Sequence, residues 1–237
     1  MATVNAGKWG IGYGTQSTNF NSARTSNGTV SNQSTSSNTM ALRASRAGGR
    51  AGTNYRMYRF FCAFDVSAYA SGYTISGLSL KFRSTNSGTG GISGVPCVVL
   101  KSTAQGNADT DLAGSDFYSS VDYSTAYSNA TGGVAWPDLN TDASIALNAT
   151  AIADFSGSYL KLVVVQYAND YSNTAGGSDY SDYGYVNLAT GGTGYVPYLD
   201  FTATPTGYGN DVIGVSSANI DEVISVATAN INEIIGA

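Results

Sequence analysis

The groups able to do chemistry in this chain are carboxylates, tyrosines and arginines, because the 237 residues contain no histidine. His-based triads, the usual imidazole base and most zinc sites are thereby removed, since Cys62 and Cys97 are too few to complete a tetrahedral set. Carboxylates concentrate in two loop-like stretches. NADTDLAGSD (107–116) carries Asp109, Asp111 and Asp116, and NDYSNTAGGSDYSD (169–182) carries Asp170, Asp179 and Asp182. Calcium takes six to eight oxygens from flexible loops of this kind, so both are candidate calcium sites. Neither spacing follows a calcium-loop template, and Asp in turns is the simpler reading. No pair of acids is set in surroundings that would raise one above the other, as acid–base hydrolysis needs. The expectation is a non-enzyme with no cofactor other than calcium.

The second loop continues as DYSDYGYVN, placing Tyr171, Tyr180, Tyr183 and Tyr185 among glycines. Tyrosine offers a rigid amphipathic surface at low entropic cost, and its ring stacks on sugars, so these four and Trp136 in GGVAWPDLN are candidate ligand contacts. Packing between strands or subunits accounts for the same residues equally well. Arg43, Arg46 and Arg50, within RASRAGGRAGTNYRMYR, are candidate partner contacts. A net charge of -5 and a pI near 4.5 argue for a protein partner rather than nucleic acid.

Only 11% of residues are charged, against about 25% in ordinary globular proteins, and Gly, Ser, Thr, Asn and 17 Tyr fill the deficit. That composition favours strands and turns. The charge is also divided along the chain: residues 1–101 hold every Lys and Arg but Lys161, and Asp65 as their one acid. Either the two halves interleave, or the basic surface of one copy meets the acidic surface of the next. The first is the plainer expectation. The beginning, MATVNAGKWGIGYGT, has no apolar signal-like stretch and no run approaches membrane-spanning length, so synthesis in a cytosol without export, and no membrane partner, are expected.

These groups must be positioned by β structure. YRMYRFFCAF (55–64), YTISGLSLKF (73–82), VPCVVL (95–100), YLKLVVVQY (159–167) and YLDFTAT (198–204) read as strands. Leu78, Leu80 and Phe82 alternate with polar residues, and Gly77 breaks their phase with Ile75, which predicts a bulge. LKLVVVQ is apolar on both faces, which predicts a central strand covered on both sides. The pattern predicts an all-β protein, an antiparallel sandwich or jelly roll. Three parts are expected: an extended N-terminal segment of loops or an arm (1–54), the β body (55–205), and a hinge with a repeated tail (206–237).

FDVSAYASGYTISGLSLKF resembles the FD-S, small loop, T-I-x-x-A-x-L passage of DNRLRE-type β-sandwich domains, and PYLDFTATP (197–205) is similar to their closing strand. The resemblance implies a jelly roll like that of carbohydrate-binding modules, with no catalysis. The Asp-Asn-Arg-Leu-Arg-Glu signature is absent.

The last segment writes one eleven-residue unit twice, Val212–Glu222 and Val223–Glu233. Eleven residues make close to three helical turns, so the repeat predicts a short helix with an apolar stripe, unstable alone and therefore packed on a partner. Its attachment residues are Val212, Ile213, Val215, Ile220, Val223, Ile224, Val226, Ile231, Ile234 and Ile235. The unit resembles repeats near the ends of tailed-phage virion proteins. That resemblance implies a structural protein of the virion: a capsid decoration, head fibre or tail-associated protein. Its expected partners are copies of itself, a trimer among the possible states, other virion proteins, and a host-surface glycan. The alternative is a carbohydrate-binding or adhesin module of a cell-surface or secreted protein.

Overall fold

The computed structural model describes residues 1–32, 39–50, 52–89, 95–136, 142–186 and 196–206, with residues 222–223 and 226–227 of the tail. The body's strands are β1 (Ala2–Tyr13), β2 (Thr29–Asn32), β3 (Thr39–Ala47), β4 (Asn54–Asp65), β5 (Tyr73–Thr89), β6 (Pro96–Ser102), β7 (Val121–Ala126), β8 (Val134–Ala135), β9 (Asp142–Ala146), β10 (Tyr159–Gln166), β11 (Tyr180–Val186) and β12 (Tyr198–Pro205). All their pairings are antiparallel. The chain is thus an all-β protein. Six strands form a closed circuit, β1–β12–β5–β11–β3–β4 and back to β1. From it β10, then β6, then β7 and β8 extend beside β4, while β9 borders β5 and β2 borders β1.

Two long strands make this possible. β1 pairs with β12 through Ala2–Asn5 and with β4 through Ala6–Tyr13, across an irregularity at Gly7. β5 pairs with β12 through its first half and with β11 through its second. The bulge read at Gly77 is present: Asp200 faces Ser79 but Thr202 faces Ser76, and Gly77 has φ +63, a left-handed conformation that glycine adopts without a Cβ penalty.

All five predicted strands form. β10 is central between β4 and β6 and buried on both faces, as its continuous apolar run predicts. Leu160, Leu162 and Val164 enter the main core with Phe60, Cys62, Leu78, Leu80, Phe82, Leu199 and Phe201. Val163 and Val165 enter a second cluster with Phe61, Val98, Leu100 and Leu112. A third, smaller cluster joins Phe20, Met57 and Phe117.

The N-terminal stretch differs from expectation. Residues 1–54 are not mainly loop or arm: they supply β1, β2, β3 and a helix, α1 (Phe20–Thr25). Their low apolar content misleads because Gly7, Gly10 and Gly12 lie where neighbours press close. A Cβ on Gly10 would sit 2.9 Å from Asn32 Oδ1, and one on Gly7 would meet the Ala108 carbonyl, so small residues are a packing requirement here. Two further short helices, α2 (Asp116–Ser119) and α3 (Ala149–Asp154), complete the body. In the tail, Glu222 pairs with Ala227 and Val223 with Val226, an extended pairing and not the predicted helix; the tail's other residues lie outside the described ones.

Leu162→Ala should cost about 2–5 kcal/mol, because the side chain is fully buried between β4 and β6, and urea denaturation would measure it.

Candidate functional site

The strongest polar grouping is internal. A π-helical turn (Tyr167–Tyr171) after β10 carries Asp170 into the body, where its carboxylate is fully buried. Arg59 of β4, also fully buried, grips it with both arms: Nε lies 2.7 Å from Oδ2 and Nη2 lies 2.8 Å from Oδ1. The Tyr123 hydroxyl donates to Oδ1 at 2.8 Å, and Arg24 Nε donates to the Asp170 carbonyl at 2.8 Å. Arg59 also donates to the carbonyls of Arg24 and Phe117, and its guanidinium lies 4.0 Å from the centre of the Phe117 ring. Burial alone would favour the neutral arginine, but Asp170 outweighs it and holds Arg59 charged. Gln166 Oε1 accepts from the amides of Asn169 and Asp170, and its Nε2 donates to Asp182 Oδ2 at 2.7 Å. Asp170 and Asp182 are therefore structural groups.

Asp179, Asp111 and Asp116 are engaged locally. Asp179 pairs with Arg46 at 2.9 Å, and Asp111 pairs with Lys8 at 3.0 Å. Asp116 accepts from the Ala113 amide and the Ser120 hydroxyl, whereas Asp109 enters its turn through the backbone amide, which donates to Asn107 Oδ1. Among the described residues no three His, Cys, Asp or Glu come together as metal ligands.

Of the aromatic candidates, Trp136 is buried against Phe82, so it cannot serve as an exposed platform. Gly184 lets it lie there, since a Cβ at 184 would sit 2.5 Å from the indole. Tyr171 stacks on Tyr167, and Tyr180 lies opposite Arg46 in the β11–β3 ladder.

Tyr183, Tyr185 and Arg43 come together. In the ladders Tyr13 of β1 faces Tyr58 of β4, Tyr58 faces Arg43 of β3, and Arg43 faces Tyr183 of β11. Directly opposed residues share a face, so these four form one row across four adjacent strands. All four are half-buried, as is Tyr185. Tyr13 and Tyr58 meet edge to face with centroids 4.7 Å apart, Arg43 lies 5.6 Å from the Tyr58 ring centre, and Tyr185 lies edge-on to Tyr183 at 5.7 Å. Arg43 Nε donates to Ser45 Oγ at 3.0 Å. Sequence reading missed Tyr13 and Tyr58. The available signal was an amphipathic residue ending an inward alternation, Trp9–Ile11–Tyr13 and Tyr58–Phe60–Cys62. The third arginine, Arg50, is exposed in a turn.

A shallow cleft of about 320 Å³ opens elsewhere, lined by Lys101, Ser102, Thr103, Tyr127, Asp154, Ser156, Gly157, Tyr159 and Lys161. Asp154 is its one carboxylate. Burial would raise it, but the Lys101 ammonium 2.7 Å away and the Tyr127 hydroxyl hold it below the ordinary carboxylate range. Tyr127 is pushed up by burial and by Asp154, and keeps its proton. An acid held ionised beside a protonated phenol is poorly suited to proton transfer near neutrality. Cys62 and Cys97 are buried free thiols; burial raises Cys62 well above its ordinary value and Cys97 to about 12, so both stay protonated and poorly nucleophilic.

Neither a scan of protein-family models nor a search of curated proteins finds a match to this chain. Among the described residues no helix is long and apolar enough to cross a membrane.

Arg59→Met should destabilise the fold by about 3–5 kcal/mol, since it leaves the Asp170 carboxylate buried with a lost partner. Adding Asp170→Leu should recover part of that loss in urea titrations. For Asp154 the folded carboxyl ionises at lower pH than the unfolded one. Its contribution is therefore present above about pH 4 and disappears as pH falls through the folded value. Asp154→Asn should accordingly lower the melting temperature at pH 6 and make little difference at pH 2.

Proposed function

We propose that this chain is a non-enzymatic structural protein of a virus particle of the tailed-phage kind: a capsid decoration, head fibre or tail-associated protein. It would be made in the host cytoplasm and carried on the virion. In this reading the body is a sandwich of jelly-roll type, with β1 and β5 passing from one sheet to the other. The apolar repeat after it joins copies of the chain, a trimer being the simplest assembly, or fastens them to other virion proteins.

The observation supporting this most directly is the position of β12. It pairs with β1 on one side and β5 on the other, and the Thr206 amide donates to the Gly72 carbonyl at 2.9 Å just past its end. Both edges of the closing strand are thus used, and the repeat that follows is not needed to complete its ladder. Val212, Ile213, Val215, Ile220, Val223, Ile224, Val226 and Ile231 each contribute roughly 1.5–3 kcal/mol when buried, so the repeat has apolar surface to share with a partner. Because β1 and β3 belong to the body, this reading assigns attachment to the C-terminal repeat. The rival reading, a carbohydrate-binding or adhesin module, draws its support from the Tyr13–Tyr58–Arg43–Tyr183 row.

In the full chain, Ile220→Asp with Ile231→Asp should leave the far-UV spectrum of the β body in place and reduce oligomer mass in light scattering, with loss of binding to particles. An unchanged mass and unchanged particle binding would place the attachment contacts elsewhere.

A further inference from the structure

We propose that the cleft of Lys101, Lys161 and Tyr159 is the docking site for the acidic, apolar repeat of a second copy of this chain. This rests on the reading of the repeat as the segment that joins copies. It adds the surface that receives the repeat, so the two fail by different variants.

The cleft lies at the end of the body from which the repeat departs. Asp65 at the end of β4 faces Tyr159 at the start of β10, and Tyr73 at the start of β5 faces Pro205 at the end of β12. The Val66 amide donates to the Ser158 carbonyl at 2.9 Å, which ties the close of β4 to the segment entering β10. Phe201 of β12 packs on Phe155 with ring centres 4.9 Å apart, and Phe155 sits between Asp154 and Ser156 of the cleft wall. Tyr73 and Tyr159, the exposed large aromatic side chains among the described residues, stand at this same end. Exposed rings beside an incoming apolar segment are surface that the segment can cover.

Charge selects the occupant. Lys101 is neutralised by Asp154, whereas the Lys161 ammonium has, among the described residues, only the Thr103 carbonyl at 3.4 Å. Asp65, which faces Tyr159, accepts instead from the Ser67 amide and hydroxyl. The cleft lining therefore carries one uncompensated cation in a chain of net charge -5. Residues 206–237 are its complement, with Asp211, Asp221, Glu222 and Glu233 and no Lys or Arg. Tyr159 and Lys161 are two residues apart on β10 and share a face, so the cation stands beside an exposed ring. Each unit of the repeat sets a glutamate two residues after an isoleucine, Ile220 before Glu222 and Ile231 before Glu233, an apolar group and an acid at the same separation. The apolar contact supplies most of the affinity and the ion pair fixes register. Number favours a neighbour's repeat over the chain's own: each tail writes the unit twice and each body has Lys161 once, so a tail seated on its own cleft still has a unit to place.

The test uses full-length chains and light scattering over a range of concentrations, with melting curves to confirm folding. Lys161→Glu should raise the concentration at which copies associate about tenfold, because it turns an attraction into a repulsion. Tyr159→Ser should act in the same direction, and it carries the test if Lys161→Glu does not fold. Glu222→Lys with Glu233→Lys should restore association to the Lys161→Glu chain. Arg50→Glu, in the exposed turn at the other end of β4, should leave association unchanged. Mixing separates a neighbour's repeat from the chain's own. Lys161→Glu chains keep the repeat and Ile220→Asp, Ile231→Asp chains keep the cleft, so the two together should form mixed pairs at a concentration where neither associates alone. The proposal is overturned if Lys161→Glu and Tyr159→Ser both keep the parent mass, if Arg50→Glu weakens association as much as Lys161→Glu, or if the mixture forms no pairs. Lost mass in the Ile220→Asp, Ile231→Asp chain with both cleft variants unaffected strikes this site and leaves the repeat as the joining segment. Unchanged mass in every variant strikes both.

Discussion

The buried pair between Arg59 and Asp170 is the constraint on which the rest of the arrangement depends. A carboxylate and a guanidinium that are both fully buried are tolerable only with nearly every donor and acceptor satisfied. Satisfying these two recruits α1 through the carbonyl and side chain of Arg24, α2 through the carbonyl of Phe117, β7 through Tyr123, and the π-helical turn through Asp170 itself. Four elements are thus fixed against one point on β4, beside the small apolar cluster of Phe20, Met57 and Phe117. Such a pair is weak as a source of net stability, since a hydrophobic replacement of equal volume can do as well. Its value lies in specificity: an alternative docking of α1 or α2 would leave a buried charge or carbonyl without its partner.

The same logic explains the uneven charge of the sequence. Six ion pairs, those of Lys8, Arg24, Arg46, Arg59, Lys81 and Lys101, each join a cation from the first 101 residues to an aspartate from the remainder. The topology makes this possible because strands from both halves alternate, β12 between β1 and β5 and β10 between β4 and β6. What looks along the sequence like a dipolar chain becomes, once folded, a set of short cross-links. For these six cations the neutralising acid lies within the same chain. Exposed pairs among the six, such as Arg46 with Asp179, contribute little to stability individually.

What was legible in the sequence was whatever has a local period. The alternation around Leu78, Leu80 and Phe82, the two-faced apolar run of β10 and the phase break at Gly77 each foretold burial, centrality or a bulge that the fold contains. β1 was harder to read, because Gly7, Gly10 and Gly12 thin out its apolar pattern and its partners lie about fifty residues away in β4 and nearly two hundred away in β12. Asp170 looked like a loop carboxylate because nothing near it in sequence reveals Arg59, 111 positions earlier. Trp136 and Tyr183 were indistinguishable as candidate platforms, although one is buried and the other half-exposed. Charge neutralisation and lateral register are long-range properties; neighbours in sequence carry no record of them.

β4 connects these features, because successive residues in a strand point to opposite faces. Arg59 faces Asp170 and the two helices, while Tyr58 beside it stands in the row with Tyr13, Arg43 and Tyr183. The backbone that the buried pair immobilises therefore also positions the centre of the row. On one side of β4 the ladder to β1 aligns Tyr13, and on the other the ladder to β3 aligns Arg43, so the register of three strands is set within one residue of the buried pair. A one-residue slip in any of these ladders would turn every second side chain to the wrong face, burying a row residue or exposing a core one. The charge that holds the helices down thus acts, through a single peptide unit, on how precisely the tyrosines of the opposite face are aligned.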